Sequence, residues 1–266
     1  MDKDYLIDNR DIGNTGRRIY NNKNLSNMKI IIKIGTAAIF NSKKQKVKEE
    51  VIKILAEDVS KLIKKRNEVI VVSSGAVGFG KNMIKGKNGL RLKQAQASVG
   101  QVRLMQKYSE IFSKRGLNIA QFLLSSEDLS NKKKMKNIKE TYHHLKGKAI
   151  PIVNENDTTT IEELSFGDND ILASELLLNL DFDIIIMLTE MGALIKNKHP
   201  LKKSNLFSVE DYDKRDVPVD GFGGLKSKLE SAKKIAKTGK KFIIARAGDS
   251  IHDILSEKVP ATRFYT

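Results

Sequence analysis

Lys29-Ile30-Ile31-Ile32-Lys33-Ile34, ended by Gly35-Thr36, is a short run of β-branched residues bounded by a glycine. Such a run reads as a strand covered on both faces, the pattern of a parallel sheet. Downstream, Val51, Leu55, Val59 and Leu62 recur at spacings of four, four and three, which predicts an amphipathic helix. Val69 to Val72 is a second apolar strand, closed by Ser73-Ser74-Gly75-Ala76. The alternation continues with a helix over 92–114, a strand over 119–124, and a helix capped by Ser126 and running to about Leu145. Further strands are expected over 149–153, 184–188 and 242–245, with helices over 170–180 and 225–237. Strand and helix in alternation imply right-handed crossovers and parallel neighbours. The expected fold class is therefore α/β: a three-layer α/β/α sandwich around a mostly parallel sheet.

The 266 residues are 40% hydrophobic and 30% charged, the balance of a soluble globular chain. No segment approaches the ~20 consecutive apolar residues of a membrane span. Residues 1–27 are rich in Asn and charge and lack an apolar signal-peptide core, so they are expected to form a flexible N-terminal extension, and the protein to be cytoplasmic. The absence of cysteine excludes disulfides, thiolate nucleophiles and cysteine-held metals. With 48 basic against 32 acidic residues the net charge is +16, a balance suited to nucleic acid, anionic lipid or nucleotides. The basic residues fall in short lysine clusters with no interleaved aromatics, which argues against a base-stacking surface. Neither a nucleic-acid nor a membrane partner is expected. The four histidines have no metal-ligand spacing, and no metal site is expected.

Ligands of such sheets bind beyond the carboxyl ends of the strands. Lys33 near the end of an apolar strand either reaches solvent at an edge or awaits an anion, since an unpaired buried ammonium is costly. Ser73-Ser74-Gly75-Ala76-Val77-Gly78 offers either a plain helix cap or an anion site of backbone amides and hydroxyls. Pro151-Ile152-Val153-Asn154-Glu155-Asn156-Asp157 and Phe166-Gly167-Asp168-Asn169-Asp170 gather carboxylates and amides at two strand ends. These could bind an amine, organise lysines, or hold Mg²⁺ through water; Asx turns and N-caps account for some of them. Gly221-Phe222-Gly223-Gly224-Leu225-Lys226-Ser227-Lys228 opens a helix with the character of a phosphate-binding turn.

Taken in order, Lys33 to Thr36, Val71 to Val77, Ser98 to Gln101, Pro151 to Asp157, Gly167 to Asp170, Leu188-Thr189 and Gly223 to Lys228 resemble the glutamate 5-kinases of the amino acid kinase family. The resemblance implies ATP-dependent phosphorylation of the γ-carboxylate of L-glutamate, the first step of proline biosynthesis, with Mg²⁺ carried mainly on the nucleotide phosphates. It implies catalytic roles for Lys33, Lys228 and Asp170, the lysines neutralising the transferred phosphoryl group and Asp170 orienting them. Ser74, Gly75, Ala76, Asp157 and Asn169 would bind glutamate. Lys33, Gly35, Thr189, Glu190, Phe222, Gly223, Gly224, Leu225, Lys226, Ser227 and Lys228 would bind nucleotide. Residues 28–266 would form one amino acid kinase domain, with 28–165 mainly holding the acceptor and 166–266 mainly the nucleotide, without the RNA-modification-type C-terminal domain of many bacterial members. A homo-oligomer, dimer or tetramer, is implied. Glu190, Ala193 and Phe222 stand where the family usually has Asp, Gly and Thr or Ser. Two other readings fit the same residues: a non-catalytic amino-acid-binding regulatory relative, and a kinase of the same fold acting on another small acid.

Overall fold

The computed structural model describes residues 25–44, 46–159, 168–205, 207–208, 211 and 222–265. Strand β1 (Lys29–Ile34) leads through one helical turn, α1 (Thr36–Ile39), and a small hairpin, β2 (Phe40–Asn41) and β3 (Lys46–Val47), into α2 (Glu49–Lys64). Strand β4 (Glu68–Ser73) is followed by α3 (Ala76–Gly80) and the long α4 (Leu90–Ser113). Next come β5 (Ile119–Leu124), α5 (Ser126–Ser130), α6 (Lys132–Leu145) and β6 (Ile150–Glu155). Helix α7 (Asp168–Asn179) and strand β7 (Ile184–Thr189) precede three two-residue strands, β8 (Ile195–Lys196), β9 (His199–Pro200) and β10 (Lys203–Ser204). Helix α8 (Phe222–Ala236), β11 (Lys241–Arg246), α9 (Ile251–Leu255) and β12 (Ala261–Phe264) complete the order.

The main sheet has eight strands in the order β10-β12-β11-β7-β1-β4-β6-β5. Its neighbours are parallel except β12, which runs antiparallel to β11 with Phe242 opposite Phe264. Alternation along β1 divides the core. Ile30, Ile32 and Ile34 pack with Leu55 and Val59 of α2, Leu104 and Tyr108 of α4 and Ile254 of α9. Ile31 faces the other way, among Ile138 of α6, Leu172 and Leu176 of α7 and Leu229 of α8. This is the expected three-layer sandwich, with the period of two in the strand assigning each residue to one helical layer.

Two local expectations are corrected. The helix predicted from Ser126 to Leu145 is two helices, and its cap is Ser125. The Ser125 hydroxyl accepts from the Asp128 amide at 3.3 Å while the Asp128 carboxylate accepts from the Ser125 amide at 2.8 Å, a reciprocal capping box. Asn131 then leaves the helical region (φ −82°, ψ 114°) and its side chain accepts from the Lys133 and Lys134 amides, starting a new helix. The antiparallel β12 also lies beyond the strands read from the sequence.

Helices α3 and α4 touch backbone to backbone. A Cβ on Gly100 would fall 1.8 Å from the Ala76 carbonyl oxygen, and one on Gly80 would fall 1.9 Å from that of Gln96. The turn preceding α3 is thereby held at the carboxyl end of β4, beside Ser74. Gly100→Ala must separate the helices, and overpacking of this kind costs about 1–3 kcal/mol. Urea unfolding should show that loss; a variant as stable as the parent would mean the contact yields freely.

Candidate active site

Lys33 lies on the same face of β1 as Ile31, so its side chain meets the layer of α7 and α8 rather than solvent. Asp170, in the first turn of α7, is fully buried, and Lys33 is 6% exposed. The Asp170 carboxylate receives Lys33 Nζ on Oδ1 at 2.5 Å and Lys228 Nζ on Oδ2 at 3.0 Å. Lys228 Nζ also donates to the Gly224 carbonyl at 3.0 Å, which folds the lysine back along the first turn of α8. Burial works against ionising Asp170, but Lys33 and Lys228 outweigh it and hold its pKa below the ordinary carboxylate value. Burial pushes the Lys33 pKa down, Asp170 opposes that, and the neighbouring Lys228 adds to it. Two ammonium groups share one carboxylate, so the cluster carries one net positive charge beside two helix N-termini.

The glycines beside these lysines keep the ammonium groups approachable. A Cβ on Gly35 would stand 3.9 Å from Lys33 Nζ, and one on Gly224 would stand 3.4 Å from Lys228 Nζ. A polyanion can therefore come close to both cations without displacing a side chain. Among the described residues no three His, Asp or Glu side chains gather as a metal cage.

Next to this cluster runs a chain of amides. Asn169 precedes Asp170 and donates from Nδ2 to Ser74 Oγ at 3.1 Å and to Asn154 Oδ1 at 3.0 Å. Its Oδ1 accepts from the Glu155 backbone amide at 3.2 Å. Asn154, 1% exposed, donates in turn to Gln101 Oε1 on α4 at 2.8 Å. Ser74 continues the β1–β4 ladder, its amide donating to Ile34 O at 3.1 Å, so the hydroxyl sits at the strand end next to Gly35. Gly75 adopts φ +116°, a left-handed conformation that lets the chain turn sharply into Ala76. Asp157 is half-buried in the turn after β6, and that turn is tied to α4 by the Ser98–Thr158 hydroxyl contact at 3.1 Å.

The remaining candidates lie at the ends of β7 and the start of α8. The Thr189 hydroxyl accepts from the Gly192 amide at 2.9 Å and shapes the turn after β7. Glu190 is bound by Lys48 at 2.5 Å, and the same ammonium donates to the Ala37 carbonyl at 2.8 Å, joining the turns after β1 and β7. Phe222 and Gly223 are the first two residues of α8, whereas Gly221 and Gly167 lie outside the described residues. Leu225 is buried in the core and Lys226 is exposed, so of the two lysines in this turn only Lys228 meets Asp170. The structure thus brings Lys33, Lys228, Asp170, Asn169 and Ser74 together. The sequence singles out Asn154 and Gln101 only as members of the motifs over 151–157 and 98–101, without a role of their own, and does not single out Lys48. Gln101 did carry a signal, since it sits on the buried stripe Ala97, Leu104, Tyr108 of α4 where a polar residue needs a partner.

Residues 28–246 match the amino acid kinase family. The glutamate 5-kinase of Dictyoglomus turgidum is 36% identical over 230 residues, covering 82% of this chain and 62% of its own length. That of Prochlorococcus marinus strain MIT 9301 is 38% identical over 224 residues, covering 79% of this chain and again 62% of the relative. The chain spans 62% of the length of these curated relatives. Among solved structures, an isopentenyl phosphate kinase superposes with a TM-score of 0.61 at 15% identity, covering 89% of this chain and 99% of that one. A Giardia carbamate kinase gives 0.59 at 17% identity, covering 90% and 99%.

Proposed function

The chain belongs to the amino acid kinase family, and on that premise we propose that it transfers the γ-phosphoryl group of ATP to the γ-carboxylate of L-glutamate. The products are ADP and L-glutamyl 5-phosphate, the first intermediate of proline synthesis. The observation that carries this reading is the Lys33–Asp170–Lys228 cluster, joined through Asn169 to the Ser74 turn.

A γ-carboxylate is already ionised at neutral pH, so the reaction needs no general base. Its oxygen attacks the γ-phosphorus in line, and the bond from that phosphorus to the β,γ-bridging oxygen breaks, the electron pair leaving on ADP. The difficulty is bringing an anion to a polyanion, and fixed cations in a partly dry site relieve it. Lys33 and Lys228 do this in the proposed mechanism, and Asp170 holds both ammonium groups in register. Mg²⁺ bound to the nucleotide phosphates would offset part of their charge. Ser74, Gly75, Ala76, Asn169 and Asp157 form the acceptor pocket, with Asp157 facing the substrate ammonium. Gly35, Thr189, Glu190 and the Phe222–Lys228 turn line the nucleotide side, with the backbone of Gly223, Gly224, Leu225, Lys226 and Ser227 turned to the phosphates. Residues 28–165 then serve mainly the acceptor and 166–266 mainly the nucleotide, in a cytoplasmic homo-oligomer.

Incubation with ATP, Mg²⁺ and hydroxylamine over a panel of glutamate, aspartate, carbamate and a nucleoside monophosphate tests the proposal. Hydroxamate from glutamate with matching ADP supports it; turnover of another acceptor alone, or of none, overturns it. Asp157→Asn should raise the glutamate KM by about tenfold or more, since hydrogen bonds to charged groups contribute about 1.5–3 kcal/mol. An unchanged KM removes Asp157 from the pocket. The depressed Lys33 pKa also predicts a pH profile. kcat/KM reports the free enzyme and should fall on the alkaline side through a group titrating below lysine's ordinary 10.5, as Lys33 loses its charge. A profile flat to that pH would contradict the role given to Lys33.

A further inference from the structure

The sheet carries a second concave site at its opposite end. A cavity of about 450 Å³ opens where β7 and β11 begin and β12 ends; its Ile184 and Met28 lie three and five residues of strand from the register of Lys33, or roughly 10–17 Å. Its floor is apolar, formed by Met28, Ile184, Phe242 and Phe264. Its rim carries three cations, Lys203, Lys241 and Arg263, against one carboxylate, Glu257.

The rim is built to hold positive charge in place. Arg263 donates from Nη1 to the Ala261 carbonyl at 3.2 Å and from Nη2 to the Ile254 carbonyl at 2.5 Å, which fixes its guanidinium plane. Glu257 stands 3.7 Å from Arg263 Nε, a loose pairing rather than a fork. Lys241 opens β11 next to this arginine; burial first and then the Arg263 charge push its pKa down, and the carboxylates of Glu257 and Asp183 offset this only in part. A cation destabilised by a like charge gains when an anion arrives. The volume is in the range of small-molecule sites, and apolar floors with a few convergent polar groups are their usual make-up.

We propose that this cavity is an accessory binding site for a small amphiphilic carboxylate, its apolar body on the Met28–Phe242 floor and its charge held by Lys241, Lys203 and Arg263. The site is separate from the lysine cluster and does not depend on the kinase reading.

Octanoate is the probe, with 1-octanol as its uncharged counterpart, followed by titration calorimetry on the full chain. Saturable binding of one octanoate per chain is expected, with octanol at least tenfold weaker. Lys241→Glu together with Lys203→Glu should weaken octanoate binding at least tenfold. Leu255→Trp, which fills the cavity from α9, should remove it while the melting temperature shows the variant folded. No saturable heat with octanoate, equal binding of octanol, or undiminished binding by either variant overturns the proposal. Because the readout is binding alone, a failure here leaves the hydroxamate result untouched, and the reverse holds too.

Discussion

Asp170→Asn should lower folding stability by about 3–5 kcal/mol near neutral pH, because removing one member of a buried ion pair leaves the other charge uncompensated. The stranded group is Lys33, only 6% exposed, with Lys228 as a second cation whose counter-charge has gone. Lys33 has a way out, which is to lose its proton, and burial already pushes it in that direction. The deficit should therefore depend on pH. With its folded pKa depressed below the unfolded value, Lys33 binds fewer protons in the folded state, and stability rises with pH across that window. In the parent, Asp170 keeps the ammonium charged to higher pH, so the gap between variant and parent should narrow as pH climbs from 7 towards the unfolded lysine value of 10.5. Urea unfolding at several pH values measures this. A deficit below about 1 kcal/mol, or one that stays constant with pH, would mean that the cluster is not the coupled unit described here. Activity should fall with it, since both cations lose their register.

Lys228→Ala should behave differently. This lysine is 19% exposed and sits at the edge of the cluster, so its loss leaves the buried Lys33–Asp170 pair intact and folding little changed. In the proposed mechanism its charge matters as negative charge moves from the γ-phosphoryl group to the leaving phosphate. Removal of one preorganised stabilising group typically costs about 10²–10³ in rate. The expected result is a fall of that size in kcat with the glutamate KM within a few-fold of the parent. Turnover within threefold would make Lys228 a structural partner of Asp170 and Gly224 alone. The split between kcat and KM separates a group acting on the transition state from one that merely binds substrate.

The two variants divide the cluster into its structural and its chemical half. Asp170 is fully buried where α7 meets β1 and α8, and its loss should be felt by the fold first. Lys228 reaches the cluster from the first turns of α8, beside the Gly224 gap, and its loss is felt by the reaction. The same logic covers the Gln101–Asn154–Asn169–Ser74 chain, in which each amide fixes the orientation of the next.

The sandwich is legible in the local pattern of the chain. The central strands are short β-branched or apolar runs, and α2 carries a stripe of period near 3.6; both signals are local, so they survive without knowledge of the partner. Ile30, Ile32 and Ile34 against Ile31 already divide the two faces of β1, and Lys33 already stands out as a charge on the Ile31 face. The Gly, Ser and Asp turns at the strand ends were legible for the same reason, because turn chemistry is written in a few adjacent residues. Local signals also misled once: the helix expected from Ser126 to Leu145 breaks at Asn131, whose side chain caps a second helix by accepting from the Lys133 and Lys134 amides. Which distant residues meet depends on the packing of the folded chain. Lys33 and Lys228 reach one carboxylate on α7 because α7 packs on β1 and α8 packs beside α7, and Lys226, two residues away, does not because it falls on the outer face of its helix. The Lys48–Glu190 tie, the buried amide chain from Gln101 and the antiparallel closure by β12 are of the same kind. Each depends on the packing of whole layers, and the energy of such a contact belongs to the pair, so neither residue's neighbours in sequence carry a record of it.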